Sequence, residues 1–186
     1  MIKTIATVLA LLIAAILIYA ATKPDSFRIE RSTTIKAPSE KVFALINDYK
    51  QWEAWSPWEK IDPALKRTYS GAASGVGAIY EWSGNKDIGQ GRMEIVESTP
   101  STKVSLKLDF ITPFEAHNMV DFTLTQQGDT TTITQAMYGP SPYMSKLMTI
   151  FFSMEKMVGG KYEEGLANIK AIAEKYKKAP DQRMKA

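Results

Sequence analysis

Few side chains of this 186-residue chain have the types and spacings that enzymes use for acid–base or nucleophilic chemistry. The only histidine is His117, and it has the opposite strand parity to Val120, Phe122 and Leu124, so we expect it to face solvent or a sheet edge. No Ser-His-Asp set, histidine cluster or H-E-x-x-H pattern is visible. The absence of cysteine excludes disulfides, thiolate metal sites and cysteine nucleophiles. The sequence therefore predicts no catalytic constellation, no metal site and no cofactor.

The remaining polar candidates are strand carboxylates and one arginine. Arg31 shares the strand parity of Phe27 and Ile29, so it could meet an anionic headgroup, although such a residue more often lies at a sheet rim beside a carboxylate. The tripeptides GVG and GQG do not open a helix, so they are not phosphate-binding loops. Three carboxylates have outward parity and are expected to be solvated: Glu81, Glu94 and Asp109. No inward pair of titratable groups, the usual basis of general acid–base catalysis, can be assembled.

Length and charge set the domain count and the classes of partner. A chain of 186 residues with 45% apolar content is enough for one well-cored domain and an appendage. The net charge is only +3, with basic and acidic residues interspersed, so no nucleic-acid partner is expected. The basic stretch EKYKKAPDQRMK at the C-terminus is typical of a solvated tail.

The N-terminal segment TIATVLALLIAAILIYAA runs without a charge and is long enough to span a bilayer as a helix. A cleaved signal peptide is the alternative, but cleavage after Ala20 or Ala21 puts Ile18 or Tyr19 at the upstream recognition position. Cleavage after Thr22 remains open. We expect residues 1–22 to be a single-pass membrane anchor with the following domain on the extracytoplasmic side, because Lys3 favours a cytoplasmic N-terminus.

The pattern of the remaining chain predicts a strand, short helices, a meander of strands and a long helix. SFRIERSTTI alternates as a half-buried strand, and Ser39 is a plausible N-cap for a helix that follows Pro38. A turn-rich region extends to Gly77, and the segment from residue 143 onward has the period of one long helix. Five strand-like runs lie between them: AIYEWSG, GRMEIVEST, KVSLKLDFI, NMVDFTLTQ and TTTITQAMYG. This order predicts an α+β fold in which the last helix covers one face of a curved antiparallel sheet.

Several phrases, in order, carry a resemblance to a known family. They are IKAPSEKVF, the tryptophan segment ending in WSPW, YSGAASGVGAIYEWSGN, GQGRMEIVES and GGKYEEGLANIK. The chain resembles the polyketide cyclase/dehydrase-like branch of the START/Bet v1-like (SRPBCC) superfamily from about Phe27 to Lys175. That resemblance implies a helix-grip fold with an apolar cavity between the sheet and the C-terminal helix. Gln135 departs from the pattern because it stands where an aromatic residue is expected, which implies a more polar or differently shaped cavity there.

Strand and helix periodicity predict which residues line the cavity. The predicted ligand-binding residues are Trp55, Tyr80, Trp82, Met93, Phe110, Phe114, Phe122, Met137, Val158, Tyr162 and Leu166. An apolar face is usually plain core, but methionine and aromatic side chains adapt to irregular ligands. Gly159, Gly160 and Gly165 also favour a cavity beside the covering helix, since a glycine inside a helix costs about 1 kcal/mol relative to alanine unless a backbone or a ligand must approach closely.

Three tryptophans lie within residues 49–60, and their role depends on this fold. Pro57 disfavours a helical conformation at Ser56, so Trp52 and Trp55 are expected to end a short helix and Trp58 to follow in a turn. We expect Trp52 to be a packing residue and Trp55 to contact a ligand as well. A membrane belt is less consistent with them, because they lie far from the anchor and have charged neighbours.

These observations predict two functions of different classes. The first is a membrane-tethered carrier or sensor for a hydrophobic small molecule or lipid, formed by a ligand-binding domain over residues 23–178 and followed by a tail over 179–186. The second is a polyketide cyclase/dehydratase-like enzyme that uses the same cavity. A membrane-tethered protein-binding module is a third alternative. The absence of a catalytic pair favours the first.

Overall fold

The computed structural model describes residues 1–175, so the predicted tail over 179–186 lies outside the described residues. The first helix, α1, spans Ile2–Ala21. It is the one helix of the described chain that is long and apolar enough to cross a membrane, with a mean hydropathy of 2.5. Length and composition alone support this, and a signal sequence would meet the same test.

Seven antiparallel strands form one sheet in the order β1-β7-β6-β5-β4-β3-β2. The strands are β1 Ser26–Ile35, β2 Lys66–Gly71, β3 Ala78–Ser83, β4 Gln90–Thr99, β5 Lys103–Thr112, β6 Ala116–Gln127 and β7 Thr130–Pro140. The first strand pairs with the last, Ser26 opposite Pro140 and Ile35 opposite Thr131, so β2 to β7 form the predicted meander and β1 returns beside its end.

The helices lie at the sheet's ends and across its inner face. After α1 come α2 Ser39–Ile46, the single turn α3 Trp52–Trp55, α4 Tyr143–Phe151 and α5 Met154–Lys175. Short 3-10 helices at Tyr49–Gln51 and Pro57–Lys60 flank α3. The long helix α5 packs beside β1, where the Lys170 ammonium donates to the carbonyl of Thr34 at 2.8 Å. A curved antiparallel sheet that holds α5 confirms the predicted α+β helix-grip architecture.

Strand pairing puts two kinds of residue on opposite faces of the sheet. Apolar side chains of one parity point toward α5, and among them Ile29, Phe122 and Ile133 are at most 4% exposed. The opposite parity carries charged pairs such as Lys103 with Glu97, whose Nζ and Oε2 are 2.8 Å apart. The core is therefore the layer between the sheet's inner face and the helices α2, α3 and α5.

One end of the sheet adjoins α1. There β1 begins at Ser26 directly after α1, β7 ends at Pro140, and α4 follows at once. The β5–β6 turn lies at the same end, because Phe110 pairs with Ala116 and β6 runs alongside β7. We call this the anchor end of the sheet.

Three details of the predicted secondary structure were wrong. The turn-rich region contains β2, an edge strand whose mostly exposed side chains leave no apolar alternation to detect. Pro38 occupies the N-cap position, and Ser39 is the first helical residue, whose backbone N and Oγ both bond to Gln126 Oε1. The single C-terminal helix is broken between α4 and α5, where Phe152 is extended with ψ of 127° although the apolar pattern continues on both sides.

Candidate functional site

The interior between the sheet and α5 brings together most of the predicted ligand-binding residues. Eight of them are buried: Trp55, Tyr80, Trp82, Met93, Phe122, Met137, Tyr162 and Leu166. Phe110 and Val158 are half-buried and pack against this core. Phe114 lies apart from it, 62% exposed in the β5–β6 turn at the anchor end. The ligand-contacting role of these residues stays a prediction.

Aromatic rings pack in a continuous series across the interior. The Trp52 ring lies 4.8 Å from Trp55, 5.8 Å from Phe122 and 5.2 Å from Tyr49, measured between centroids. Tyr49 continues to Tyr80 at 5.7 Å. Tilted and edge-to-face pairs at these separations add to the free energy gained from burial. The rings therefore form a rigid wall at the end where α2 and α3 meet the sheet.

The two buried tryptophans are held by backbone acceptors as well as by packing. The Trp55 indole Nε1 donates to the Leu45 carbonyl at 2.8 Å, and the Trp52 indole donates to the Ile46 carbonyl at 3.1 Å. Both acceptors belong to the end of α2, so each ring ties α3 back to α2. The extended conformation of Ser56, with ψ of 124°, ends α3 before Pro57, as predicted.

The glycines of α5 have separate explanations. A Cβ on Gly165 would lie 3.3 Å from Pro57 Cδ and 3.5 Å from the Trp55 ring, so this glycine makes room for Trp55. A Cβ on Gly159 would collide with the guanidinium of Arg31, whereas one on Gly160 would meet nothing within 4 Å. Close approach to α5 thus comes from protein side chains at two of the three positions.

Arg31 forms salt bridges with two carboxylates of α5. Its guanidinium pairs with Glu163 at 2.5 Å and with Glu155 at 2.7 Å, on either side of Gly159. Hydrogen bonds to Glu163 and then Glu155 raise the pKa of Arg31 above its ordinary value. Of the two roles weighed from the sequence, the structure shows the rim arginine beside carboxylates.

A buried carboxylate that the sequence did not indicate reaches the interior. Glu59 is 9% exposed, and its Oε1 accepts a hydrogen bond from the Tyr80 hydroxyl at 2.6 Å. Its Oε2 accepts from Arg67 Nε at 2.6 Å, which supplies the opposite charge that a buried carboxylate needs. The sequence showed Glu59 only as one of the charged neighbours of the tryptophans, because its burial depends on the unrecognised strand β2 that carries Arg67.

Three further side chains with polar groups, Tyr162, Gln135 and Tyr49, are buried in the apolar layer. Tyr162 of α5 faces Gln135 of β7, and the two side chains hydrogen bond. Gln135 Oε1 nevertheless lacks a partner, as does the hydroxyl oxygen of Tyr49. A buried acceptor without a partner is costly, so Gln135 Oε1 is a point at which a bound hydroxyl group or water would be stabilised.

Burial favours the protonated form of the interior phenols. Burial raises the pKa of Tyr49 and of Tyr162 far above the ordinary value of 10.0. Burial also raises the pKa of Tyr80, and the hydrogen bond to Glu59 adds to that shift. In the protonated form these groups can donate hydrogen bonds, as Tyr80 does to Glu59.

His117 is remote from this interior. It lies on the outer face of β6, where Nδ1 is 2.7 Å from Asp109 Oδ1 and Nε2 is 3.2 Å from Glu115 Oε1. The Asp109 hydrogen bond, more than Glu115, raises the pKa of His117 above 6.5. Within residues 1–175 no group of three or more His, Cys, Asp or Glu side chains is placed to hold a metal ion.

Two open depressions lie on the surface of the domain. One of about 370 Å³ lies at the anchor end, between residues 26–28 of β1 and 138–139 of β7. The other, about 200 Å³, lies beside Tyr49 and Tyr69 at the opposite end of the sheet. Trp55, Phe122 and Leu166 are at most 2% exposed, so a ligand that enters the interior must displace side chains.

The fold and the apolar interior define a class: α+β proteins of the helix-grip type whose sheet and long helix enclose an apolar core. The chain belongs to the polyketide cyclase / dehydrase and lipid transport family, whose sequence profile matches residues 26–174. The START/Bet v1-like (SRPBCC) superfamily predicted from the sequence is thereby confirmed. A comparison with curated proteins found no match.

Solved structures similar to this chain share its fold at low sequence identity. The di-domain ARO/CYC StfQ from the steffimycin biosynthetic pathway matches 81% of the chain at 10% identity with a TM-score of 0.61, over 51% of its own length. Major latex-like protein 151 from Panax ginseng matches 81% at 12% identity, with a TM-score of 0.57 and 99% of its own chain. The Aha1 dimer from Colwellia psychrerythraea matches 80% at 16% identity, with a TM-score of 0.55 and 96% of its own chain. The family and the fold support a hydrophobic ligand-binding or cyclase role.

Proposed function

We propose that this protein is a membrane-tethered carrier or sensor that binds a hydrophobic small molecule or lipid in the interior between the sheet and α5. The observation that carries the proposal is a buried apolar and aromatic layer in which the acceptor Gln135 Oε1, like the Tyr49 hydroxyl, has no hydrogen-bond partner. A ligand with an apolar body and one hydroxyl group matches both features, because the body replaces core contacts and the hydroxyl satisfies the acceptor.

The interior has side chains suited to rearrangement. Met93 and Met137 line it from β4 and β7, and the flexible methionine side chain fits surfaces of irregular shape. Half-buried Phe110 and Val158 lie at its edge. We expect the ligand to enter by displacing these side chains while the wall formed by Trp52 and Trp55 stays in place.

The contacts between α1 and the folded domain support an uncleaved anchor. Ala20 is completely buried, and the Tyr143 hydroxyl of α4 donates to the Leu17 carbonyl at 2.9 Å. Lys23 Nζ approaches the Thr149 carbonyl at 3.5 Å. Removal of α1 would expose this packed face of α4. With Lys3 at the N-terminal end of α1, we place the domain on the extracytoplasmic side.

Native mass spectrometry of the full-length protein, taken from its own membrane, tests the ligand. We expect a retained hydrophobic molecule that carries a hydroxyl group, and its loss should leave the fold intact. An empty protein that binds neither fatty alcohols nor lipids would contradict the proposal. Carbonate washing tests the tether: the protein should stay in the membrane, and a soluble form that begins near Pro24 would show that α1 is a signal peptide.

A cyclase/dehydratase-like enzyme is the second candidate, and the pair of Glu59 and Tyr80 favours it. The pair is a carboxylate and a phenol hydrogen-bonded at 2.6 Å, and Tyr80 packs into the interior. Proton transfer through this pair is the chemistry that such an enzyme needs. Turnover of a polyketide-like substrate that is abolished by Tyr80→Phe would select the enzyme, and retained ligand with no turnover selects the carrier.

A further inference from the structure

Helix α4 and the start of α5 carry an apolar surface that no part of the described domain covers. Its side chains are between 37% and 65% exposed, whereas the equally apolar inner face of the sheet is buried. The members are Met144, Met148, Phe151, Phe152, Met154 and Met157, which we call the Met/Phe surface. Met144, Met148 and Phe151 recur at helical spacing, so they project from one side of α4.

This surface is continuous with the membrane-spanning helix of the proposed function. α4 packs against the last turns of α1, where Tyr143 bonds to the Leu17 carbonyl. Leu17 precedes the end of α1 by four residues, which at 1.5 Å per residue is about 6 Å along the helix axis. An amphipathic helix that lies in a bilayer interface is buried by about 5–10 Å, so α4 is held at the matching depth.

The charges around α4 agree with that position. The helix has one ionisable cation, Lys146, whose ammonium is buried and paired with Asp25 at 2.5 Å. Tyr19 is 58% exposed near the end of α1 with Lys23 above its ring, the arrangement of an aromatic and basic residue at a membrane boundary. The Met/Phe surface can therefore enter the interface without burying an unpaired charge from α4.

The β5–β6 turn adds apolar side chains at the same end of the sheet. Ile111, the second-last residue of β5, is 56% exposed, and Phe114, in the turn itself, is 62% exposed. The register of β5, β6, β7 and β1 puts this turn at the anchor end. The apolar exposure of the domain thus concentrates where α1 joins it.

We infer that the Met/Phe surface is a second membrane contact, which seats the anchor end of the sheet on the lipid bilayer beside α1. The inference rests on the proposed anchor and goes beyond it, because an anchor alone does not determine which surface of the domain contacts the membrane. Seated in this way, half-buried Phe27, Phe110 and Val158 face the bilayer, and a hydrophobic ligand can pass between lipid and protein interior without crossing water.

The cysteine-free chain permits a direct test by single-site spin labelling. Full-length protein is placed at one copy per phosphatidylcholine nanodisc, with a nitroxide on Phe151→Cys, on Val8→Cys within α1, or on Gln127→Cys at the opposite end of the sheet. We expect the labels at positions 151 and 8 to collide more with oxygen than with a water-soluble nickel chelate, and the label at 127 to show the reverse. Phe151→Asp with Phe152→Asp should make a label on Met148→Cys accessible to nickel and leave position 8 unchanged.

The outcomes separate this inference from the proposed function. A nickel-accessible label at position 151 with a lipid-exposed label at position 8 would refute the membrane contact and leave the anchor standing. Nickel access at position 8 would refute the anchor and the contact together. Protection of position 151 that appears only with two copies in a disc would refute the membrane contact in favour of a homodimer interface. Equal melting temperatures for the labelled variants exclude unfolding as the cause.

Discussion

Truncation of Trp55 tests whether the interior is built as described. The ring is 1% exposed, lies against Trp52 and Phe122, and donates to the Leu45 carbonyl. Removal of a buried tryptophan side chain costs about 3–5 kcal/mol. The Leu45 carbonyl also loses its donor, so we expect Trp55→Ala near the upper end of that range. For a domain of this size the melting temperature should fall by roughly 8–20 °C.

The assay is urea unfolding of the full-length chain in nanodiscs, followed by circular dichroism, with Trp58→Ala as the matched control. Trp58 is half-buried and pairs with Tyr162 at 5.7 Å, so its truncation should cost clearly less. Added indole should restore part of the stability of Trp55→Ala, because an apolar cavity of matching shape binds it. A loss below about 0.5 kcal/mol, in the range of ordinary surface substitutions, would refute the packed position of Trp55 between α5 and the sheet.

Three further predictions follow from individual contacts. Gly160→Ala should stabilise the protein by about 0.5–1 kcal/mol, because the new methyl group contacts nothing. Gly165→Leu should destabilise it by about 1–3 kcal/mol, because the larger side chain crowds Trp55 and Pro57. Urea midpoints that rank the two variants in the opposite order would contradict this. In NMR spectra the imidazole of His117 should titrate above pH 6.5, and Asp109→Asn should lower its pKa. The stabilising contribution of His117 should be present below pH 6.5 and lost as the pH rises through the raised pKa. A titration that Asp109→Asn does not shift would show that the Asp109 contact does not persist. Gln135→Met should weaken binding of a long-chain alcohol by roughly tenfold and leave binding of the matching alkane unchanged, and equal losses for both would show that Oε1 does not meet the hydroxyl.

The fold could be predicted from the sequence because its signals are local. Strand alternation from β3 to β7 gave the correct inner face, and Pro57 marked the end of α3. The missed features depend on long-range packing. Strand β2 is an exposed edge without alternation, so it became visible only through its pairing with β3.

The sequence predicted which apolar residues form the candidate site, but it did not predict the polar contacts among them. Inward parity identified Tyr80 and Phe122, but it could not show that Glu59 would turn inward to meet Tyr80, because that depends on Arg67 from another element. The helical glycines of α5 predicted a close approach to the helix. At Gly165 such an approach exists, but the approaching group is Trp55 rather than a ligand. Chain spacing alone does not identify which neighbour fills a gap.

The location of the bound molecule is the central claim, and photo-crosslinking tests it most directly. A long-chain alcohol with a photoactivatable group in its apolar tail is irradiated with the full-length protein in nanodiscs, and the modified residues are mapped by peptide mass spectrometry. We expect labelling of inner-face residues, above all Met137, Tyr162 and Leu166, that an excess of unmodified alcohol suppresses. Labelling confined to the Met/Phe surface or to the depression at residues 26–28 and 138–139, with the inner face unmodified, would contradict an interior binding site.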